Sequence, residues 1–225
     1  MPERQRSLRG PVGRTSWRWH TFTVTQIRPY TSADRDDVYA ICVRTGASGG
    51  DATGLYSNDD LLPDIFAGPY LAYQPDLALV VDTGDHVAGY LLAVADSPAF
   101  VAWYEAEWMP WFCAKHPLDA APAPRERETI GFGLDVRGAV VPEVAQYPAH
   151  LHIDLLPELQ GRGFGRALIR TLLAALRERG IPGVYLTMSP ANHGARAFYD
   201  RLGFRELPSS RPDGPALAIA TDAVV

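Results

Sequence analysis

Short apolar or alternating runs fall at 22–27, 77–81, 87–94, 150–155, 184–187, 204–207 and 216–220, and they predict strands. Helical spacing falls between them. Val38, Ile41 and Cys42 follow the capping side chains of 31–34. Leu168, Ile169, Leu172, Leu173 and Leu176 share one helical face that ends at Gly180. A shorter helix is predicted over 58–66, closed by Ala67-Gly68-Pro69, and another from Asn192 to Gly203. Phe100, Tyr104, Trp108, Trp111 and Phe112 fall on one helical face within 99–115, which predicts a packed helix. That crowd of aromatics, with Glu105 and Glu107 among them, also suits an acceptor pocket, and the sequence leaves both readings open. The runs 46–54, 82–85 and 117–124 read as loops, and the residues from there to Pro148 show no period. Strands alternating with helices place the chain in the α/β class.

Composition sets limits on this picture. The 225 residues suit one domain, taken as 22–225 with an aromatic-rich insertion around 97–149. Ahead of it, 1–21 reads as a basic, flexible extension carrying Arg4, Arg6, Arg9, Arg14 and Arg18. A net charge of −5 argues against a general nucleic-acid binder. No apolar run reaches the roughly 18 residues of a bilayer span, and the N-terminus lacks a signal-peptide core. Cys42 and Cys113 read as reduced thiols of a cytoplasmic protein.

Candidate chemistry begins at 155–166, where a strand end passes through Gly161, Gly163 and Gly165 into a helix. The first N–H groups of a helix are unpaired and carry the positive end of its dipole. Glycines let a ligand approach that backbone closely, which favours a phosphate or pyrophosphate. A Walker A loop needs Gly-Lys-Ser/Thr, and none is present. A Gly-x-Gly-x-x-Gly fingerprint fails at Arg166 from one start and at Leu168 from the other. A tight turn without a ligand remains the plain alternative.

The pattern that fits is Gln/Arg-x-x-Gly-x-Gly/Ala, here Gln160, Gly163 and Gly165. It resembles the acetyl-CoA signature of the GNAT N-acetyltransferase superfamily. The resemblance implies that backbone amides of Gly161, Arg162, Gly163, Phe164, Gly165 and Arg166 cradle the CoA pyrophosphate. It implies that the strand end at Leu155 and Leu156 pairs with the pantetheine arm and offers an N–H to the oxyanion. The implied fold is a mixed, mostly antiparallel sheet of about seven strands flanked by helices. The implied co-substrate is acetyl-CoA, with no metal.

Residues 190–204 resemble the second segment of that family. Asn192 and Tyr199 are about two helical turns apart and share a face. In the family the asparagine contacts pantetheine, the tyrosine reaches the thioester sulfur as an acid, and small residues such as Ala195 let CoA lie close. Phe198, beside Tyr199, belongs to the same cofactor site. Read without the family, Asn192 is also a plain helix cap and Tyr199 a core residue. The stretch 147–207 further resembles bacterial relatives of the acetyltransferase-like C-terminal domain of eukaryotic O-GlcNAcase. That kinship implies the fold rather than the activity, and glycoside hydrolysis does not carry over.

Alternation along 150–155 puts His150, His152 and Asp154 on one face and Leu151, Ile153 and Leu155 on the other. An acceptor amine must shed a proton to be acylated. Asp154, or His152 near its ordinary pKa, could take it directly or through water. A satisfied polar cluster is the structural alternative. His-x-His-x-Asp also opens a metallo-β-lactamase ligand pattern, but Leu155 stands where the last histidine is needed. The expected function is acetyl transfer from acetyl-CoA to an amine of a small molecule or peptide by direct attack. The partners expected are that acceptor alone, without nucleic acid or membrane, and a homodimer is admitted. A non-catalytic acyl-CoA-binding or regulatory module is the alternative, and an interaction domain without ligand a third.

Overall fold

The computed structural model describes residues 24–225, so the basic extension expected over 1–21 lies outside the described residues. In chain order the elements are β1 (Gln26–Pro29), α1 (Arg35–Thr45), α2 (Pro63–Phe66), α3 (Gly68–Tyr73), β2 (Leu79–Asp82), β3 (Val87–Val94), α4 (Ser97–Trp103), α5 (Met109–Lys115) and α6 (Pro124–Leu134). The second half adds β4 (Ala149–Leu155), α7 (Phe164–Glu178), β5 (Gly183–Thr187), α8 (His193–Leu202), β6 (Arg205–Glu206) and β7 (Ala216–Ala220). Seven strands form one sheet in the order β1-β2-β3-β4-β5-β7-β6. Every neighbouring pair is antiparallel except β4 with β5.

The sheet is covered on both faces, which explains the unbroken apolar run of β3: all of Val87–Val94 is buried. The Tyr90 and Leu92 face lies under α1 and α3. The opposite face packs on α7 through Leu168, Ile169, Leu172, Leu173 and Leu176, all buried. Each such side chain contributes about 1.5–3 kcal/mol relative to exposure.

Four expectations need correction. The first strand starts at Gln26, and Val24 ahead of it is exposed. Pro69 does not end the helical stretch; it sits in the first turn of α3, where its missing N–H costs nothing. The run 117–124 is a loop with one short 3-10 turn, but the stretch after it, which shows no period, is not irregular throughout, since α6 forms there with Pro124 in its first turn. Its only buried residues are Glu126, Ile130 and Gly133, too few to print an apolar period. Lastly, the aromatic helix is interrupted by a π-helical segment over Tyr104–Trp108. The wider turn shifts everything downstream, so Phe100, Tyr104 and Phe112 are buried while Trp111 is 42% exposed.

One ion cluster ties the sheet edge to α1. Arg28 donates from Nε to Asp82 (2.8 Å) and from both terminal nitrogens to Asp34 (2.7 Å each). The Arg28 guanidinium holds the Asp34 carboxyl down at about 2. A depressed carboxyl stabilises the fold above its unfolded pKa, and that contribution fades as pH falls through its folded value. Denaturant midpoints should therefore drop between about pH 4 and pH 2, and Asp34→Asn should flatten this slope. An unchanged slope in the variant would assign the acid sensitivity to other carboxylates.

Candidate active site

The parallel strands β4 and β5 pair only at Ala149–Val184 and His150–Tyr185, although both continue beyond. They splay apart from there. On the other side of β4 the antiparallel ladder is complete, and the Leu156 N–H extends it by donating to Ala88 O (2.9 Å). Alternation then aims the backbone groups of residues 150, 152 and 154 at β3, and those of 153 and 155 into the splay. The Leu155 carbonyl is taken by the Gln160 side chain, whose Nε2 donates to it at 2.9 Å. The Leu155 N–H is thus the amide at the strand end that faces the opening. Leu156 does not share that role, contrary to expectation, because its N–H is committed to β3 and the residue is buried.

The glycine turn stands at the open end of the splay. Gly161 and Gly163 adopt φ of +71° and +87°, where other residues are strained, and a side chain at either would point into open space. Gly163 caps α7, and the first helical acceptance runs from Ala167 N–H to Gly163 O. The amides of Gly163 to Arg166 therefore have no backbone partner among the described residues and lie at the positive end of a 15-residue helix. Gly165 is needed for a different reason: a Cβ there would meet the Phe198 ring at 2.9 Å. That contact docks α8 on α7. Arg162 donates to Glu158 O and lies over Phe164, which stiffens the turn from outside.

Helix α8 brings the second motif to the same opening. Asn192 is the N-cap, its Oδ1 accepting from Ala195 N–H at 3.0 Å, which leaves its amide hydrogens available. Tyr199 is buried, its ring between Phe198 and Phe204 with centroids 5.2 Å from each. Its hydroxyl has no protein partner among the described residues. Burial and the nearby Asp154 charge raise its pKa, so the group stays an O–H donor.

A cleft of about 610 Å³ is lined by Asn192, Ala195 and Tyr199 together with His150, His152 and Asp154. The polar face of β4 is organised by residues far away in sequence. Tyr70 Oη bridges His150 Nε2 (2.8 Å) and His152 Nε2 (2.9 Å). Ser97 Oγ contacts His150 Nδ1 (2.8 Å) and donates to Pro148 O (2.7 Å). Tyr90 Oη donates to Asp154 Oδ2 at 2.6 Å. Burial pushes His150 down to about 3 and His152 to about 4, so His152 is not near its ordinary value and stays neutral at physiological pH. Burial raises the Asp154 carboxyl, against the hydrogen bond from Tyr90.

The cleft thus gathers His150, His152 and Asp154 of β4 with Asn192, Ala195 and Tyr199, while the glycine turn is outside its lining and follows the end of β4, with Gly165 packed against Phe198 of α8. The aromatic insertion, for which packing and an acceptor pocket were both open, divides between the two. Phe100 and Tyr104 line the cleft, whereas Trp108, Trp111 and Glu107 border a separate shallow groove and Glu105 pairs with Arg137. Tyr70, Ser97 and Tyr90 were missed. For Tyr70 the signal existed, since a proline can open a helix as readily as it can follow one.

A splayed strand pair, a helix N-terminus beside it and a tyrosine hydroxyl facing the cleft define an α/β domain with an open cleft at the break between its two parallel strands. The chain belongs to the acetyltransferase (GNAT) family, whose model matches residues 52–204. It resembles the solved structure of SsHAT, with 45% identity and a TM-score of 0.82, covering 88% of this chain and 98% of that one. It is also similar to rat protein O-GlcNAcase, 26% identical over 190 residues. That match covers 83% of this chain and 21% of the relative, so the chain spans about a fifth of O-GlcNAcase. The ribosomal protein bS18-alanine N-acetyltransferase of Escherichia coli K12 is 34% identical over 74 residues, a third of this chain and half of that protein. No helix among the described residues is long and apolar enough to cross a membrane.

Proposed function

We propose that this acetyltransferase moves an acetyl group from acetyl-CoA to an amine nitrogen by direct attack. The observation that carries the reading is the β4–β5 splay with the free α7 amides at its rim. The residues present fit the co-substrate. Amides 163–166 suit a pyrophosphate, the Ile153 and Leu155 amides suit the polar pantetheine arm, and the Asn192 amide group lies across from them. When bound, acetyl-CoA supplies an activated acyl group as a thioester. The chain's own tasks are then to orient that group, to offer the Leu155 N–H to a carbonyl oxygen gaining negative charge, to take a proton from the acceptor, and to give one to the departing sulfur. A preorganised N–H of this kind is worth roughly 10²–10³ in rate, and an acid or base about 10²–10⁴. Asp154 and His152 are the groups placed to receive the acceptor's proton. The N-acetyltransferase among the relatives supports nitrogen as the acceptor atom.

Binding is tested first. Acetyl-CoA at about 100 times its Kd should stabilise the protein by about 2.7 kcal/mol, or about 5–10 °C in Tm for a chain of this size. Gly163→Glu should abolish the shift, because it puts a side chain and a negative charge where the pyrophosphate lies. Circular dichroism confirms that the variant is folded. A folded Gly163→Glu protein with the full shift would remove the turn from the site. Thiol release with a panel of small amines, amino sugars and peptides then tests transfer. A protein that binds acetyl-CoA and releases no thiol with any of them is a non-catalytic acyl-CoA module.

A further inference from the structure

The four hydrogen-bond contacts that run from Pro148 to His152 fix where every proton lies. Pro148 O can only accept, so the Ser97 hydroxyl hydrogen points to it. Ser97 Oγ must then accept from His150, which makes His150 the Nδ1–H tautomer with a lone pair on Nε2. Tyr70 fills that lone pair with its own hydrogen. The Tyr70 oxygen must in turn accept from His152, which makes His152 the Nε2–H tautomer. Four contacts receive four hydrogens, one from each of Ser97, His150, Tyr70 and His152, and no other assignment avoids an empty contact between two lone pairs. Burial keeps both imidazoles neutral, as this assignment requires. The lone pair left over is His152 Nδ1, which has no protein partner among the described residues, on a side chain that lines the cleft.

We propose that Ser97, His150 and Tyr70 are positioning residues that lock His152 as the Nε2–H tautomer, and that His152 Nδ1 is the atom that takes the acceptor's proton. The inference rests on the acetyl-transfer reading and chooses between the two candidate bases. Asp154 is engaged by Tyr90 and stands beside Tyr199, where its charge holds the tyrosine proton in place. A buried neutral imidazole is a weak base and does not strip an ordinary ammonium ion. It does not need to. The neutral amine attacks, and its nitrogen becomes a strong acid as the N–C bond forms. The N–H bond then breaks, its electron pair stays on nitrogen, and the proton bonds to Nδ1, while the C–S bond of the thioester breaks and its electron pair leaves with sulfur, which takes the Tyr199 proton; Tyr199 is reprotonated from water after the thiol departs. The resulting imidazolium loses the Nδ1 proton to water at the cleft mouth after the acetylated product leaves.

Imidazole nitrogen NMR of the full chain at neutral pH tests the lock without any turnover. The expected result is His152 as Nε2–H and His150 as Nδ1–H, and an Nδ1–H form of His152 would overturn the proposal. In Tyr70→Phe the lock is gone, so His152 should show both tautomers and transfer should slow while the acetyl-CoA thermal shift is retained. A single Nε2–H form in that variant would refute the positioning role. His152→Ala should lose about 10²–10⁴ in rate, and added imidazole should restore part of it in proportion to its concentration. Wild-type rates in His152→Ala, or a loss that imidazole does not touch, would assign the proton to another group. Absence of transfer to every amine in the wild type is a different result: it removes the acetyl-transfer reading, while the NMR assignment still decides the lock.

Discussion

Asp64→Ala should destabilise the protein by about 3–5 kcal/mol, the usual loss when one partner of a buried charge cluster is removed. Asp64 is fully buried on α2. Its Oδ1 accepts from Tyr39 Oη at 2.9 Å, and its Oδ2 meets Lys115 Nζ at 2.7 Å and His116 Nε2 at 2.8 Å. Its backbone carbonyl accepts from Trp108 Nε1 at 2.9 Å. One residue therefore holds α1 and the end of α5 to α2. Alanine would leave the Tyr39 hydroxyl and the His116 ring without partners in a site too closed for water to replace them freely. In melting temperature the loss should be about 6–20 °C. Thermal and urea unfolding of the variant measure it, and salt should change the difference little because the carboxylate is buried. A loss below about 1 kcal/mol would mean that the cluster behaves as a surface pair. Because α2 and α3 carry Phe66 and Tyr70 into the cleft, a partly folded variant should also show weaker tautomer preference at His152.

How much of this was legible in the sequence follows from how local each signal is. The glycine turn, α7 and α8 are runs of adjacent residues whose spacing alone defines a turn, a helix and its cap, and these elements form where spacing put them. The shared face of His150, His152 and Asp154 is likewise a property of one strand. What organises that face is not local. Tyr70 lies 80 positions from His150, and Ser97 lies 53 away. No period links them, and Pro69 looked like an end rather than a beginning. The π-helical segment was equally hidden, because one extra residue per turn follows from packing and leaves no mark in apolar spacing. Burial also sets proton affinities. His152 reads as a near-neutral titrator in sequence, and burial in the fold lowers it to about 4, so its resting form is the neutral imidazole. Leu156 shows the same limit for backbone: only the β3 register reveals that its N–H is already donated to Ala88.

Tyr199→Phe is expected to slow acetyl transfer by about 10²–10⁴ while leaving acetyl-CoA binding nearly unchanged. The ring sits between Phe198 and Phe204, and the substitution keeps that packing. Only the hydroxyl is removed, and it has no protein partner among the described residues, so the fold loses no hydrogen bond. Burial and the Asp154 charge raise the tyrosine pKa, which keeps the hydroxyl protonated as a hydrogen-bond donor. The departing sulfur gathers negative charge as its bond to carbon breaks, and the Tyr199 O–H is expected to hydrogen-bond that charge and share its proton with it in the transition state. A thiol is already a fair leaving group, so an acid lowers this barrier less than it would for an amide, and the expected loss is toward 10². The measurement is single-turnover transfer to an amine found by screening, alongside the thermal shift with acetyl-CoA. A full thermal shift with transfer slowed a hundredfold assigns the hydroxyl to the chemical step. Transfer as fast as in the wild type, with chemistry rate-limiting, would leave Tyr199 as a packing residue and hand the proton to water.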